Sequence, residues 1–155
     1  MKTPAASLII TVENQWNFTR KCLKSLAAHT DKQTIEVIVV DNASTDETPR
    51  GCPFLGGSLF GAAFRYIRND EKLSLAAAAN AGAALAEGRY LIFLDPKTEV
   101  QPGWYEPLLD DFSAWPDLGA TAPLLADAVK TPLGLTVRHL GVYLGPVLKT
   151  GRRYE

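Results

Sequence analysis

The stretch that decides the fold is Ile35-Glu36-Val37-Ile38-Val39-Val40-Asp41-Asn42-Ala43-Ser44-Thr45-Asp46, an apolar run that stops at acids, an amide and hydroxyls. Residues 37–40 are all apolar and β-branched, which is typical of a central strand covered on both faces in a parallel α/β sheet. In such sheets, ligands gather beyond the carboxyl ends of the strands. Asp41 is therefore predicted to lie at a binding site.

Similar patterns on both sides of this stretch predict alternating strands and helices. Apolar runs predict strands at 7–12, 64–68 and 90–94, and helical spacing predicts helices at 16–29 and 73–87. Gly88 follows the second helix, in the position of a C-terminal cap. This alternation favours βαβ units and a largely parallel sheet. The strand at 90–94 ends at Asp95, just as the strand at 37–40 ends at Asp41.

Three further segments have weaker patterns. The segment from Asp46 to Phe64 contains two prolines and four glycines, which predict a short turn of helix followed by an irregular loop. A helix is predicted at 104–112, after a Pro-Gly pair. Strands are predicted at 119–126 and 137–144.

The composition is that of an ordinary soluble globular chain. The 155 residues predict one domain spanning 1–155, and the formal net charge of -1 gives no electrostatic basis for binding nucleic acid. Cys22 and Cys52 are too few for a disulfide scaffold, which favours a reducing compartment. No stretch reaches the roughly 18 apolar residues of a membrane span. We therefore expect a cytoplasmic protein with a small ligand.

Four segments carry a resemblance to a known family. In order, they are residues 7–14, 37–46 (VIVVDNASTD), 69–82 (NDEKLSLAAAANAG) and 88–103 (GRYLIFLDPKTEVQPG). Their order and spacing, over residues 5–145, resemble those of family 2 glycosyltransferases of the GT-A fold. The resemblance implies a mostly parallel sheet flanked by helices. It also implies transfer of a sugar from a nucleotide-diphosphate sugar, usually with a divalent cation (Mn or Mg), to a saccharide, lipid or protein acceptor.

The resemblance assigns roles to particular positions. It implies that residues Thr11 to Glu13 cradle the base of the donor, that Asp41 accepts hydrogen bonds from it, and that the Asn69 region contributes to nucleotide binding. Asp95 aligns with the start of the D-x-D-like motif, whose carboxylates bind the cation and with it the diphosphate. Lys97 lies at the diphosphate as well. No catalytic residue is assigned.

Three positions depart from the family pattern, and all lie in the implied binding site. Glu13 stands where an aromatic residue is common, Ser74 replaces a glycine before the third helix, and Lys97 replaces the last acid of the D-x-D motif. An ammonium group has no lone pair for a metal. Either Lys97 supplies positive charge directly to a phosphate and transfer is metal-independent, or the site has lost its activity. Metal binding by Asp95 is in doubt on either interpretation.

Simpler structural explanations exist for several of these residues. Ser44-Thr45-Asp46-Glu47 has the form of a capping box, so Ser44 or its neighbours are predicted to begin a helix. Asp41 and Asp95 are both followed by residues common in turns and would then bond their own backbone. His139 lies near the place where some family members supply a third metal ligand, but a single histidine in a strand is more often structural.

Two functional hypotheses follow. The leading one is a glycosyltransferase domain that binds a nucleotide-diphosphate sugar, and the alternative is a catalytically inactive module of the same fold that binds a nucleotide, a sugar or a protein partner. A dinucleotide-binding Rossmann enzyme is disfavoured because no G-x-G-x-x-G follows the first strand. Family members place the acceptor surface and the general base downstream of the nucleotide half. We therefore expect this GT-A-like domain to be truncated on its acceptor side.

Overall fold

The computed structural model describes residues 3–123, 125–131 and 134–139. The chain forms two compact units, Met1–Pro102 and Gly103–Glu155. The single domain spanning 1–155 stays a prediction, and the two units are described separately. The elements of the first unit are β1 (Ala6–Val12), α1 (Trp16–His29), β2 (Ile35–Asn42), α2 (Thr48–Phe60), β3 (Phe64–Asn69), α3 (Leu75–Ala83) and β4 (Tyr90–Leu94).

The core of the first unit is a four-stranded sheet in the order β3-β2-β1-β4. All three strand pairings are parallel. Every residue of β2 is buried, and residues 37–40 have no exposed surface. Neighbours on both sides and helices on both faces require such a continuous apolar run. The mostly parallel sheet predicted from the sequence is therefore confirmed.

The strand order reverses between β1 and β4. From β1 the chain steps outward to β2 and then to β3, and it then crosses back to add β4 on the other side of β1. The register pairs Ile10 with Leu94, so β1 and β4 end side by side. A crevice opens at such a reversal, beyond the carboxyl ends of the strands, because the connecting chains leave in opposite directions.

Helices cover the two faces of the sheet. A Cβ on Gly82 of α3 would lie 2.8 Å from Ile9 Cγ2 and 2.9 Å from Val40 Cγ2, so this glycine allows α3 to pack closely on their face. On the opposite face, α2 contacts β3 through Gly56 and the ring of Phe64. α1 packs beside α2.

The prediction of a short turn and an irregular loop between Asp46 and Phe64 is wrong, because α2 is a continuous helix of 13 residues. Close packing explains two of its three glycines, Gly51 and Gly56. A Cβ on Gly51 would lie 2.5 Å from the Trp16 ring, and one on Gly56 would lie 2.1 Å from the Phe64 ring. Pro49 lies in the first helical turn, where no backbone donor is needed. Tertiary contacts thus outweigh poor helix propensity here.

The prediction that Gly88 caps a helix over 73–87 is also wrong. The helix α3 ends at Ala83, and Gly88 packs against β1 instead. Its N–H donates to Ser7 Oγ at 2.8 Å and to Glu36 Oε1 at 3.0 Å. A Cβ there would lie 2.6 Å from backbone atoms of β1. Glycine is needed at this position for close approach, not for a helix end.

The second unit contains α4 (Glu106–Ala114) and an antiparallel pair, β5 (Leu125–Thr131) and β6 (Gly134–His139). The helix begins and ends two residues later than predicted, and the strand predicted at 119–126 lies at β5 instead. The strand predicted at 137–144 is described only as far as His139. Among the described residues, no helix is long and apolar enough to span a membrane.

Candidate functional site

A cavity of about 680 Å³ opens in the first unit at the reversal between β1 and β4. It is lined by the ends of these two strands, by the loops that follow them and by α3. The lining residues are Ile9, Thr11, Glu13, Asn14, Gln15, Leu75, Ala76, Ala79, Phe93, Leu94, Asp95, Pro96 and Lys97. This volume is within the range of small-molecule sites.

The structure brings four of the six predicted site residues together. Thr11, Glu13, Asp95 and Lys97 all line this cavity, whereas Asp41 and Asn69 are not among its lining residues. The ligand roles of these residues stay predictions. The lining also includes a mostly apolar wall, with the Phe93 side chain 57% exposed, so the cavity combines an apolar surface with charged groups at the strand ends.

Glu13 forms an ion pair across the rim of the cavity. Its Oε1 lies 2.7 Å from Lys72 Nζ, and the two side chains are 42% and 66% exposed. An ion pair this exposed contributes at most about 1 kcal/mol to stability, because water screens it. Lys72 was not singled out from the sequence. It lies in the 69–82 segment, two residues before Ser74, the N-cap of α3, and this position was the signal that could have identified it.

Asp95 forms the tight turn that its sequence context predicted. Its Oδ1 accepts the backbone N–H of Lys97 at 2.8 Å, and its carbonyl oxygen accepts that of Thr98 at 3.0 Å. The turn presents the carboxylate and the Lys97 side chain to the same cavity. Asp95 therefore has a local structural role in addition to any role in binding.

The residues at the cavity do not fit a divalent cation. At nucleotide sites such cations are usually bound by one or two protein carboxylates together with phosphate oxygens and waters. Within the part of the chain that the structure describes, no group of three or more acidic, histidine or cysteine side chains is placed to bind one. The cavity's own carboxylates, Glu13 and Asp95, each have a lysine neighbour. His139 lies in β6 of the second unit, and its role as a ligand stays a prediction.

Asp41 is fully buried, and both oxygens of its carboxylate accept hydrogen bonds from other residues. Its Oδ1 accepts the N–H of Ser44 at 2.8 Å, and its Oδ2 accepts the Tyr66 hydroxyl at 2.5 Å and Arg68 Nη1 at 2.8 Å. Burial, together with the hydrogen bond to Asp41, raises the pKa of Tyr66. The turn role considered for Asp41 is therefore present. Contact with a nucleotide stays a prediction, and it would require one of these bonds to be exchanged.

Asn42, rather than Asp41, shares a sheet face with Thr11. Side chains alternate along a strand, and Thr11 pairs with Val40 in the register, so Asn42 points to the face of α3. Its Oδ1 accepts Asn69 Nδ2 and the N–H of Leu73, both at 3.0 Å. Asn42 thus anchors the loop that leads into α3. The sequence singled out Asp41 because it is charged, but strand alternation is the signal that separates the two residues.

Ser44 does not cap a helix, so the capping prediction is wrong for this residue, although its neighbour Asp46 does bind the first residue of α2. Its hydroxyl accepts the N–H of Asn14 at 2.7 Å, and Asn14 Oδ1 accepts the N–H groups of Thr45 and Asp46 at 2.8 and 3.2 Å. These bonds tie the loop after β1 to the loop after β2. Asn14 and Gln15 adopt left-handed backbone conformations, with φ of 55° and 60°.

Asp46 binds the beginnings of two helices. Its Oδ2 accepts the N–H of Trp16 and its Oδ1 accepts the N–H of Thr48, both at 2.9 Å. These are the first residues of α1 and α2. Burial alone would raise the pKa of Asp46, but the hydrogen bonds from Thr48 and Trp16 outweigh it and lower the pKa below the model-peptide value of 3.8.

Replacing Asp46 with Ala is expected to lower the free energy of unfolding by about 1–2 kcal/mol, the cost of a lost helix cap. Because the folded pKa is the lower one, this stabilisation is present above pH 4 or so and is lost as the pH falls through the folded value. Urea unfolding at pH 7 and pH 3 measures both effects. Glu47→Ala, in the adjacent exposed position, is the control. An equal loss for both variants would contradict the assignment.

Comparison with known proteins places this geometry in a family. A model of glycosyl transferase family 2 matches residues 7–134. A putative polypeptide N-acetylgalactosaminyltransferase 13 of Drosophila melanogaster is 33% identical over 127 residues, which are 77% of this chain and 23% of that protein. The putative glycosyltransferase EpsH of Bacillus subtilis is 32% identical over 109 residues, 70% of this chain and 30% of its own length.

Solved structures agree with this result. GalNAc-T7, crystallised with UDP, GalNAc and Mn²⁺, has a TM-score of 0.64 and 25% identity, and the match covers 72% of this chain and 21% of that one. S. aureus TarS 1–349 shares the fold, with a TM-score of 0.64. This chain therefore spans between 21% and 34% of the length of each of these relatives. The predicted GT-A fold is confirmed, and the chain belongs to glycosyl transferase family 2.

Proposed function

We propose that this chain binds a nucleotide-diphosphate sugar in the cavity between β1 and β4 and forms the donor side of a sugar-transfer site. The observation that carries the proposal is the position of the cavity. It lies at the only reversal of strand order in the described four-stranded sheet and beyond the carboxyl ends of its strands. Sheets of this kind bind nucleotides at that position.

The lining residues support a division of the cavity into two parts. We assign the base to the end of β1, where Thr11 lies, and to the adjoining loop that Asn42 and Asn69 anchor. We assign the diphosphate to the turn after β4, where Asp95 and Lys97 lie. The relatives support this choice of ligand, because GalNAc-T7 was solved with UDP and TarS with UDP and with UDP-GlcNAc. The donor sugar and the acceptor remain unassigned.

Titration calorimetry with uridine, guanosine and thymidine diphosphates tests the proposal. At least one of them should bind the wild-type chain. Ala79 lines the cavity and Ala77, on the same helix, does not. A phenylalanine at position 79 fills part of the cavity, so Ala79→Phe should weaken binding by about tenfold or more, equivalent to at least 1.4 kcal/mol. Ala77→Phe is the matched control and should bind normally. Equal effects of the two variants, or no binding of any nucleotide to the wild type, would reject the proposal.

A catalytically inactive binding module is the second candidate. It is favoured by one observation, the lysine at position 97 that faces the cavity beside Asp95. A nucleotide that binds this cavity without release of its sugar to any member of a panel of saccharide, lipid and peptide acceptors would support the module. Acceptor-dependent release of the nucleotide would support the transferase.

A further inference from the structure

The charges at the cavity are balanced before any ligand arrives. Glu13, Asp95 and Lys97 line it, and Lys72 reaches its rim through the 2.7 Å contact with Glu13. The formal charges of these two carboxylates and two ammonium groups cancel. A divalent cation at a nucleotide usually takes one or two protein carboxylates as ligands, but here Glu13 is paired with Lys72, and Asp95 has only Lys97 where a second carboxylate would stand. A diphosphate requires positive charge, and the two lysines supply it once one of them leaves its carboxylate.

We infer that Lys97 and Lys72 neutralise the diphosphate of the ligand directly, without a divalent cation, an inference that rests on the proposed function. Glu13 then competes with the diphosphate for Lys72. Binding then exchanges the ion pair between Glu13 and Lys72 for one between Lys72 and a phosphate oxygen. Lys97 needs no such exchange, since its ammonium group forms no ion pair within the described part of the chain, and the neighbouring Asp95 carboxylate accepts its backbone N–H instead.

The exposure of the ion pair makes this exchange feasible. Both side chains are more than 40% exposed, so water already weakens the attraction between them. Bonds between lysine and phosphate are charge-assisted at both partners and are stronger than bonds between neutral groups. The lysine side chain has a flexible four-carbon stem, which allows Lys72 to turn from Glu13 towards a ligand without movement of the backbone.

The inference predicts a specific pattern of affinities. Lys97→Ala should weaken binding of uridine diphosphate by about tenfold, because it removes a charge-assisted bond to the phosphate from a residue that lines the cavity. Lys72→Ala should weaken it by about threefold, because Lys72 lies at the rim with its side chain 66% exposed. Glu13→Gln should strengthen binding by about threefold, because it frees Lys72 and removes a repulsive charge. None of the three should alter binding of uridine, which has no phosphate. Lys24→Ala, on the exposed face of α1, is the matched control and should change nothing.

Calorimetry with uridine diphosphate and with uridine, first in EDTA and then in Mn²⁺, tests the inference. Guanosine or thymidine diphosphate, with its own nucleoside, replaces this pair if it is the nucleotide that binds. The expected result is equal affinity in the two buffers and the pattern above. Lys97→Asp should create a dependence on Mn²⁺, because a second carboxylate would join Asp95.

The outcomes separate the two proposals. Binding that requires Mn²⁺ in the wild type, or that is indifferent to Lys97→Ala, overturns the inference and leaves the proposed function intact. Equal losses for uridine and for its diphosphate also overturn it, since they would indicate general damage to the site. Absence of nucleotide binding in both buffers overturns the proposed function, and the inference with it.

Discussion

Replacement of Glu36 by Ala is expected to lower the free energy of unfolding by about 3–5 kcal/mol, because it removes a buried charged acceptor and leaves its donors unsatisfied. Glu36 lies near the N-terminal end of the inner strand β2, and its side chain is 5% exposed. Its Oε1 accepts the Ser7 hydroxyl at 2.6 Å and the N–H groups of Glu87 and Gly88 at 2.5 and 3.0 Å. Alanine would leave the Ser7 hydroxyl and the Glu87 N–H without this acceptor, and the Gly88 N–H would keep only its bond to Ser7 Oγ.

Two further variants separate the bonding role of Glu36 from its charge. Glu36→Gln keeps the shape and one acceptor oxygen but loses the charge that faces Arg65, whose Nη2 lies 3.7 Å from Oε2. We expect it to cost less than alanine. Glu87→Ala also removes an acidic partner of Arg65, but that side chain is 65% exposed, so it should cost under about 1 kcal/mol. Guanidinium unfolding monitored by circular dichroism measures all three. Similar values for Glu36→Ala and Glu87→Ala would contradict the prediction.

The parallel sheet could be predicted because its signal is local and strong. A run such as residues 37–40 is compatible with few environments other than a strand covered on both faces. The aspartates and other polar residues that follow such strands also indicated where the cavity would form, and Thr11, Glu13, Asp95 and Lys97 do line it. The prediction of the sheet rests on residues that are neighbours in the sequence, whereas the prediction of these site residues rests also on the family resemblance.

The errors concern contacts between residues distant in sequence. α2 has poor helix propensity, and the close approach of the Trp16 and Phe64 rings to Gly51 and Gly56 is a tertiary reason for glycine there that the local sequence does not show. Gly88 was predicted to cap a helix because it follows a helical pattern. Its contact with Ser7 of β1 joins residues more than 80 positions apart, so the local sequence does not indicate it. The Glu13–Lys72 ion pair likewise joins two loops that only the sheet brings together.

The site's polar residues show the same limit in finer detail. Asp41 and Asn42 are adjacent, and an aspartate at the end of a strand is the more obvious candidate for binding a ligand. The register of the strands decides which of the two side chains points to α3 and the face of the cavity. The strand pairing that defines this register could not be predicted from the sequence. Asp41 instead lies on the other face, beside Tyr66 and Arg68. If Asp41 contacts a nucleotide, its replacement should weaken nucleotide binding. If its observed bonds are its main role, its replacement should lower stability instead.

Replacement of Asp41 by Ala is expected to lower the free energy of unfolding by about 3 kcal/mol, since it removes a buried charged acceptor of three hydrogen bonds. The Ser44 N–H would be left buried and unbonded, and the Tyr66 hydroxyl would lose its acceptor. Arg68 is partly exposed and can bond water instead, which limits the loss. Asp41→Asn retains an oxygen for Ser44, so we expect about half the effect of alanine.

Denaturant unfolding and nucleotide titration, carried out on the same variants, distinguish the two roles of Asp41. Asp70→Asn is the matched control, because this exposed aspartate follows β3 and should change stability by less than about 0.5 kcal/mol. If the bonds described here are the main role of Asp41, Asp41→Asn loses stability while the folded variant binds uridine diphosphate with normal affinity. Full stability with weakened binding would instead establish Asp41 as a ligand of the base. That result would require the carboxylate to leave Tyr66 or Ser44 when the nucleotide binds.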